Sequence, residues 1–145
     1  MIQNEQFCCH AYAKINLTLE VLRRLADGYH EILSVMQQLE LHDVILLTKC
    51  SDTEIRVECD ADSVPCDRRN LVWRAVELLR RETGVMIGVD IRIQKRIPVA
   101  GGMAGGSSDA AATLRGLNYL FELGLSQADL LELGTQLGMD VPFCI

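Results

Sequence analysis

The segment Pro98-Val99-Ala100-Gly101-Gly102-Met103-Ala104-Gly105-Gly106-Ser107-Ser108 decides how the chain is read. Four glycines among small side chains leave backbone N–H groups free to turn inward as a nest, and a helix opening just after them adds the positive end of its dipole. Both features attract phosphate. The bland alternative is a tight strand-to-helix turn, for which the segment is longer than needed. It is neither G-x-x-x-x-G-K-[ST] nor G-x-G-x-x-G, so it is not a Walker A loop or a dinucleotide fingerprint. Ser107 and Ser108 can cap the helix or offer hydroxyls to phosphate and Mg²⁺.

Working outward, Val85, Ile87, Val89, Ile91 and Ile93 alternate, predicting a strand over 85–94 that enters the loop through Lys95-Arg96-Ile97. Beyond the loop, Ala110, Leu114, Leu117 and Phe121 share a helical face, predicting a helix from Ser107 or Ser108 with Gly124 at C′. Ser126-Gln127-Ala128-Asp129 is a capping box with Asp in place of Glu, opening a last helix to about Leu137. Leu71, Ala75, Leu78, Leu79 and Glu82 predict an earlier helix, capped by Asn70 and ended by Gly84. The first half reads as strands. Residues 13–21 place Ile15, Leu17, Leu19 and Val21 on one face and Lys14, Asn16, Thr18 and Glu20 on the other, as in a half-buried strand. Asp27-Gly28 turns the chain, and strands over 32–39, 43–48 and 54–59 complete a meander.

The chain has 145 residues, 49% hydrophobic and 23% charged, which excludes disorder, collagen and a disulfide miniprotein and suits one domain. A net charge of −6 without clustered basic residues argues against nucleic acid as a partner. Met1-Ile2-Gln3-Asn4-Glu5-Gln6 lacks the basic and apolar regions of a secretory leader, and no apolar run is long enough to span a bilayer, so a cytoplasmic, membrane-free protein is expected. Cys8, Cys9, Cys50, Cys59, Cys66 and Cys144 form no C-x-x-C pair and read as buried free thiols rather than a zinc site.

Lys14 reads either as an exposed strand charge or as a cation held near transferring phosphate. Asp140 reads either as a turn cap or as an acceptor for a substrate hydroxyl proton. Together, Ala13-Lys14-Ile15-Asn16-Leu17, Asp27-Gly28-Tyr29-His30, the glycine segment running into Asp109-Ala110-Ala111-Ala112, and Gly138-Met139-Asp140-Val141-Pro142-Phe143 resemble the ordered motifs of the GHMP kinase superfamily. Within it they resemble the kinases of 4-diphosphocytidyl-2-C-methyl-D-erythritol. The resemblance covers essentially the whole chain.

It implies an α+β GHMP kinase N-terminal domain, similar to the second domain of ribosomal protein S5. The activity implied is ATP-dependent phosphorylation of the 2-hydroxyl of 4-diphosphocytidyl-2-C-methyl-D-erythritol, on the non-mevalonate route to isoprenoids. Lys14 and Asp140 match the family's catalytic pair, residues 98–108 its ATP loop, and Asn16, Tyr29 and His30 its substrate side. Mg²⁺ would come with ATP, with Ser108 as a candidate ligand. The chain departs from the pattern at Met103, where Leu is usual, at Ala100 and Ala104, where Gly is common, and at Met139, where a small Ala is usual. It also stops where the family continues, so residues 1–145 are expected to be the N-terminal ATP-binding domain, with the C-terminal half outside the chain. A face meeting that half should be apolar and prone to self-association. The alternatives are another GHMP kinase, acting on mevalonate, homoserine or a sugar, and an S5-like RNA-binding module.

Overall fold

Phe7, Cys9, Ala11 and Ala13 turn inward along the first strand while Gln6, Cys8 and His10 face out, the two-residue alternation of a sheet covered on one side. A computed structural model describes residues 5–145; the leader reading at Met1-Ile2-Gln3-Asn4 lies outside the described residues. Strand β1 (Gln6–Arg24) pairs antiparallel with β2 (His30–Lys49) from Gln6 opposite Thr48 to Arg24 opposite His30. The separate strands expected over 32–39 and 43–48 are thus one continuous strand. Its register against β1 shifts between the Tyr12–His42 and Lys14–Gln38 pairs, which is where the apolar alternation breaks in the sequence.

Strand β3 (Ile55–Cys59), helix α1 (Leu71–Thr83) and strand β4 (Val89–Gln94) follow, and the sheet order is β1-β2-β4-β3. The expected meander is therefore corrected: β4 inserts between β2 and β3, and β3 runs parallel to β4. Parallel neighbours need a crossover, and α1 supplies it. Asn70 caps α1 by accepting from Val72 N at 2.9 Å, and Gly84 ends it with a left-handed φ of 73°.

Helix α2 (Gly105–Leu120) packs on β1, β2 and α1. It starts at Gly105, before the serines expected to open it. Its end also differs from expectation: Glu122, not Gly124, takes the left-handed C′ position with φ 50°. Bonds from Glu122 N to Tyr119 O and from Leu123 N to Asn118 O close a Schellman motif there. Helix α3 (Gln127–Leu137) opens with both bonds of the Ser126/Asp129 capping box, and α4 (Val141–Cys144) follows Asp140.

The half-buried strand expected over 13–21 is corrected as well. Strand β4 pairs only with residues 44–49 of β2, so most of the β1–β2 hairpin projects as a two-stranded ribbon. Leu17, Leu19 and Val21 stand 58%, 61% and 59% exposed on it. Of the six thiols only Cys9 is buried, while Cys8 and Cys66 are exposed.

The strand expected over 85–94 begins only at Val89. Residues before it are held otherwise: Gly88 O accepts from Cys50 N at 2.9 Å, and Ile87 O accepts from the Arg80 guanidinium. A Cβ on Gly88 would lie 1.8 Å from the Asp52 carbonyl oxygen. Gly88→Ala is expected to displace the 50–53 turn and remove at least about 2 kcal/mol of stability in urea unfolding.

Candidate active site

The glycine segment forms a nest by alternating backbone handedness. Ala100, Gly102 and Ala104 have φ of 58°, 74° and 57°, the alternation that lets peptide N–H groups converge, while the Gly101 N–H is spent on Pro98 O at 3.2 Å. Two of the three are alanines, for which the left-handed region is uncommon and strained, a pattern found where function over-determines the backbone. Ala104 is the N-cap of α2 and supplies no side-chain cap, so the first-turn amides are left for an acceptor from elsewhere. Open space stands where a Cβ on Gly102 or Gly106 would be. The segment lines a cleft of about 340 Å³, with Val64, Pro65, Asn70, Leu71, Lys95 and Asp109 contributing to its walls. An inward row of amides at a bare helix start suits a phosphate.

Strand β1 runs beside this loop and is tied to it twice. Lys14 N donates to Met103 O at 3.1 Å, and Ser108 Oγ donates to Tyr12 O at 2.6 Å. Ser108 is 2% exposed, so neither serine caps α2, and the Ser108 hydroxyl is turned to β1 rather than to the cleft. Ser107 instead lies beside the Gly138 turn.

Lys14 is 5% exposed, which excludes the exposed-strand reading. Its Nζ donates to Asn16 Oδ1 at 2.8 Å and lies 3.4 Å from Asp140 Oδ1. Asn16 Nδ2 in turn donates to Ser34 Oγ at 2.6 Å, which fixes the amide's orientation from β2. Asp140 makes no side-chain cap to α4, so its carboxylate, with 42% of the side chain exposed, faces Lys14 and solvent together. Behind it, Arg115 of α2 donates to Cys144 O and Ile145 O and holds α4 in place.

Tyr29 and His30 stand elsewhere. Both are exposed at the hairpin tip, where Tyr29 N donates to Asp27 Oδ1 at 3.0 Å. From Lys14 to Arg24, the partner of His30, a straight strand would extend on the order of 30 Å. Neither residue has a hydrogen bond or salt bridge to Lys14, Asn16 or Asp140 among the described residues.

A second charged group lies beneath the nest. Lys95 Nζ bonds Asp109 Oδ2 at 3.0 Å and also Asp43 Oδ2, while Asp43 Oδ1 accepts from Arg96 N at 2.5 Å and Ile97 N at 2.8 Å. All three side chains are buried. Among the described residues, Asp109 Oδ1 has no partner. Burial pushes the Asp109 carboxyl up to about 7, against the pull of the Lys95 ammonium and with the push of Asp43. Burial also works to lower the Lys95 pKa, but Asp109 and Asp43 outweigh it and hold that pKa above its ordinary value.

The family described as "GHMP kinases N terminal domain" matches residues 70–145, just over half of the chain. The chain belongs to the GHMP kinase family. Among its relatives, the 4-diphosphocytidyl-2-C-methyl-D-erythritol kinase of Alkaliphilus metalliredigens is 51% identical over 92% of this chain and 46% of its own. The like-named protein of Caldicellulosiruptor saccharolyticus is 52% identical over 93% of this chain and 47% of its own. A crystal structure of 4-(cytidine 5'-diphospho)-2C-methyl-D-erythritol kinase superposes with a TM-score of 0.80 at 36% identity, covering 95% of this chain and 48% of that one. The chain spans about half the length of the curated relatives it matches.

In this GHMP kinase chain the sequence pointed to Lys14, Asn16, Asp140 and the glycine segment, and the structure gathers them around one loop. It missed Lys95, Asp43 and Asp109. The available signal was a Lys and an Asp flanking the loop on either side, which becomes meaningful only once both are seen to be buried.

The Asp109 carboxyl supplies a sign-defined test. Its folded pKa lies above the unfolded value of about 3.9, so the native state holds the extra proton and this contribution to stability is lost as pH rises. The stability of wild type relative to Asp109→Asn is expected to fall between pH of about 4 and about 7 and then level off, as measured by urea unfolding across that range.

Proposed function

We propose that this chain carries the nucleotide-binding side of an ATP-dependent kinase that phosphorylates the 2-hydroxyl of 4-diphosphocytidyl-2-C-methyl-D-erythritol, in the non-mevalonate route to isoprenoids. The observation that carries the reading is a buried lysine within 3.4 Å of a half-exposed carboxylate, on a strand hydrogen-bonded to a phosphate-suited nest. The names of the relatives at about half identity favour this substrate over mevalonate, homoserine or a sugar.

Bound ATP with Mg²⁺ supplies the phosphoryl group. Within the 98–108 segment the backbone amides from Gly102 to Gly106 hold the phosphates, and the start of α2 adds its dipole. Asp140 accepts or orients the proton of the attacking hydroxyl. Lys14, kept at its post by Asn16, stabilises charge on the transferring group. Asn16 serves the substrate side; the stacking of Tyr29 on cytosine and the bonding of its edge by His30, which the resemblance implies, gain no support from their place at the exposed hairpin tip. The burial of Ser108 lends its role as a Mg²⁺ ligand no support, and Ser107 is the hydroxyl nearer Asp140. A cytoplasmic location and a small molecule as partner go with this reading. An S5-like RNA module would have no use for the Lys14–Asp140 pair, and the net charge of −6 opposes it.

Isothermal titration with a non-hydrolysable ATP analogue and Mg²⁺ is expected to show saturable binding. A variant with Gly105→Val and Gly106→Val should lose it while remaining folded by circular dichroism. A folded wild type that does not bind would count against the nucleotide reading.

The exposed ribbon of Leu17, Leu19, Val21, Ile32, Leu33 and Val35 is also expected to drive self-association at high concentration. Light scattering that finds a monodisperse monomer there would sink that expectation.

A further inference from the structure

Lys95 lines the cleft beside the glycine segment, where a lysine is ordinarily assigned to phosphate. Its surroundings argue otherwise. The ammonium is 8% exposed and engaged by two buried carboxylates, Asp43 from β2 and Asp109 from α2. Its charge is thus already met inside the protein, and two of its three donors serve one local cluster. The same cluster binds backbone: Asp43 Oδ1 accepts from Arg96 N and Ile97 N, the last residues before the loop. Asp109 lies in the first turns of α2, just after the loop. The side chain of Lys95 therefore connects the entrance of the loop to its exit. The route is tight: a Cβ on Gly105 would stand 3.1 Å from Lys95 Nζ and 3.2 Å from Ile97 Cγ2.

We propose that Lys95, clamped between Asp43 and Asp109, is the positioning residue of the nucleotide loop, closing its two ends so that the nest keeps its strained handedness without itself bonding phosphate. The proposal rests on the nucleotide reading above and deepens it. Closing a loop of this size across a rigid pin removes conformations that would otherwise be lost on binding, so the pin acts by pre-organisation. The unpartnered Asp109 Oδ1 fits this role, since a buried carboxylate with one idle oxygen is a poor way to gain stability alone.

The two roles of Lys95 separate experimentally. A phosphate-binding lysine would be freed by removing Asp109, so Asp109→Ala would bind the ATP analogue as well as wild type or better. A positioning lysine would be unhinged by the same change. Asp109→Ala should weaken the analogue on the order of tenfold to a hundredfold. Lys95→Met combined with Asp43→Asn and Asp109→Asn, which leaves no unpaired buried charge in the cluster and covers the case in which Asp109→Ala does not fold, should weaken it to a similar degree. Asp109→Asn alone keeps an acceptor for Lys95 and should restore most of the affinity.

A second readout needs no nucleotide. The Lys14 amide reports on the loop through its bond to Met103 O, and its hydrogen exchange should speed up in the two disrupted variants but not in Asp109→Asn. Unchanged exchange, or unchanged or tighter analogue binding by folded Asp109→Ala, overturns the proposal. A wild type that binds no nucleotide, yet shows the faster exchange in the variants, would sink the nucleotide reading and leave the loop-holding role standing.

Discussion

Everything at the site depends on how closely α2 lies against β1. Gly116 makes that approach possible, because a Cβ there would stand 2.5 Å from Leu47 Cδ1 and 2.6 Å from Cys9 Sγ, both in the buried core. Small residues on the facing strand, Ala11 and Ala13, complete the fit. With the helix so placed, Ser108 reaches the Tyr12 carbonyl and Met103 O reaches the Lys14 amide. The strand that carries the buried lysine and the loop that carries the nest therefore move as one body.

Two charged clusters share this scaffold and differ in their exposure. Lys14 and Asp140 meet beside the glycine segment, where the carboxylate is half exposed and open to a reactant. Lys95, Asp43 and Asp109 meet out of solvent, where the same residue types are bound to one another and to backbone. Burial separates the pair suited to chemistry from the group suited to holding shape, since a buried charge is tolerable only when it is paired and hydrogen-bonded.

The left-handed alanines fit the same pattern. Ala100 and Ala104 adopt positive φ at a cost of roughly 1–2 kcal/mol each relative to ordinary backbone. The hydrogen bonds to β1 and the packing of α2 offset that strain. A glycine would remove it but would also widen the unfolded ensemble.

Local sequence determined the pieces whose causes are local. The Asn70 cap, the Gly84 stop, the Ser126–Asp129 capping box and the phosphate-suited character of residues 98–108 all follow from residues within a few positions of each other. Tertiary structure decided what depends on distant partners. It inserted β4 between β2 and β3, because the pairing partner of a strand is not encoded in its own alternation. It left Leu17, Leu19 and Val21 in solvent, since among the described residues no third strand or helix covers the ribbon. It began α2 at Gly105 and turned Ser108 toward β1, because a carbonyl across the chain outcompeted the local cap. It also buried Lys14 and Lys95, two lysines whose sequence neighbourhoods carry no sign of it, because burial of a cation is set by the carboxylates and amides that other elements bring to meet it.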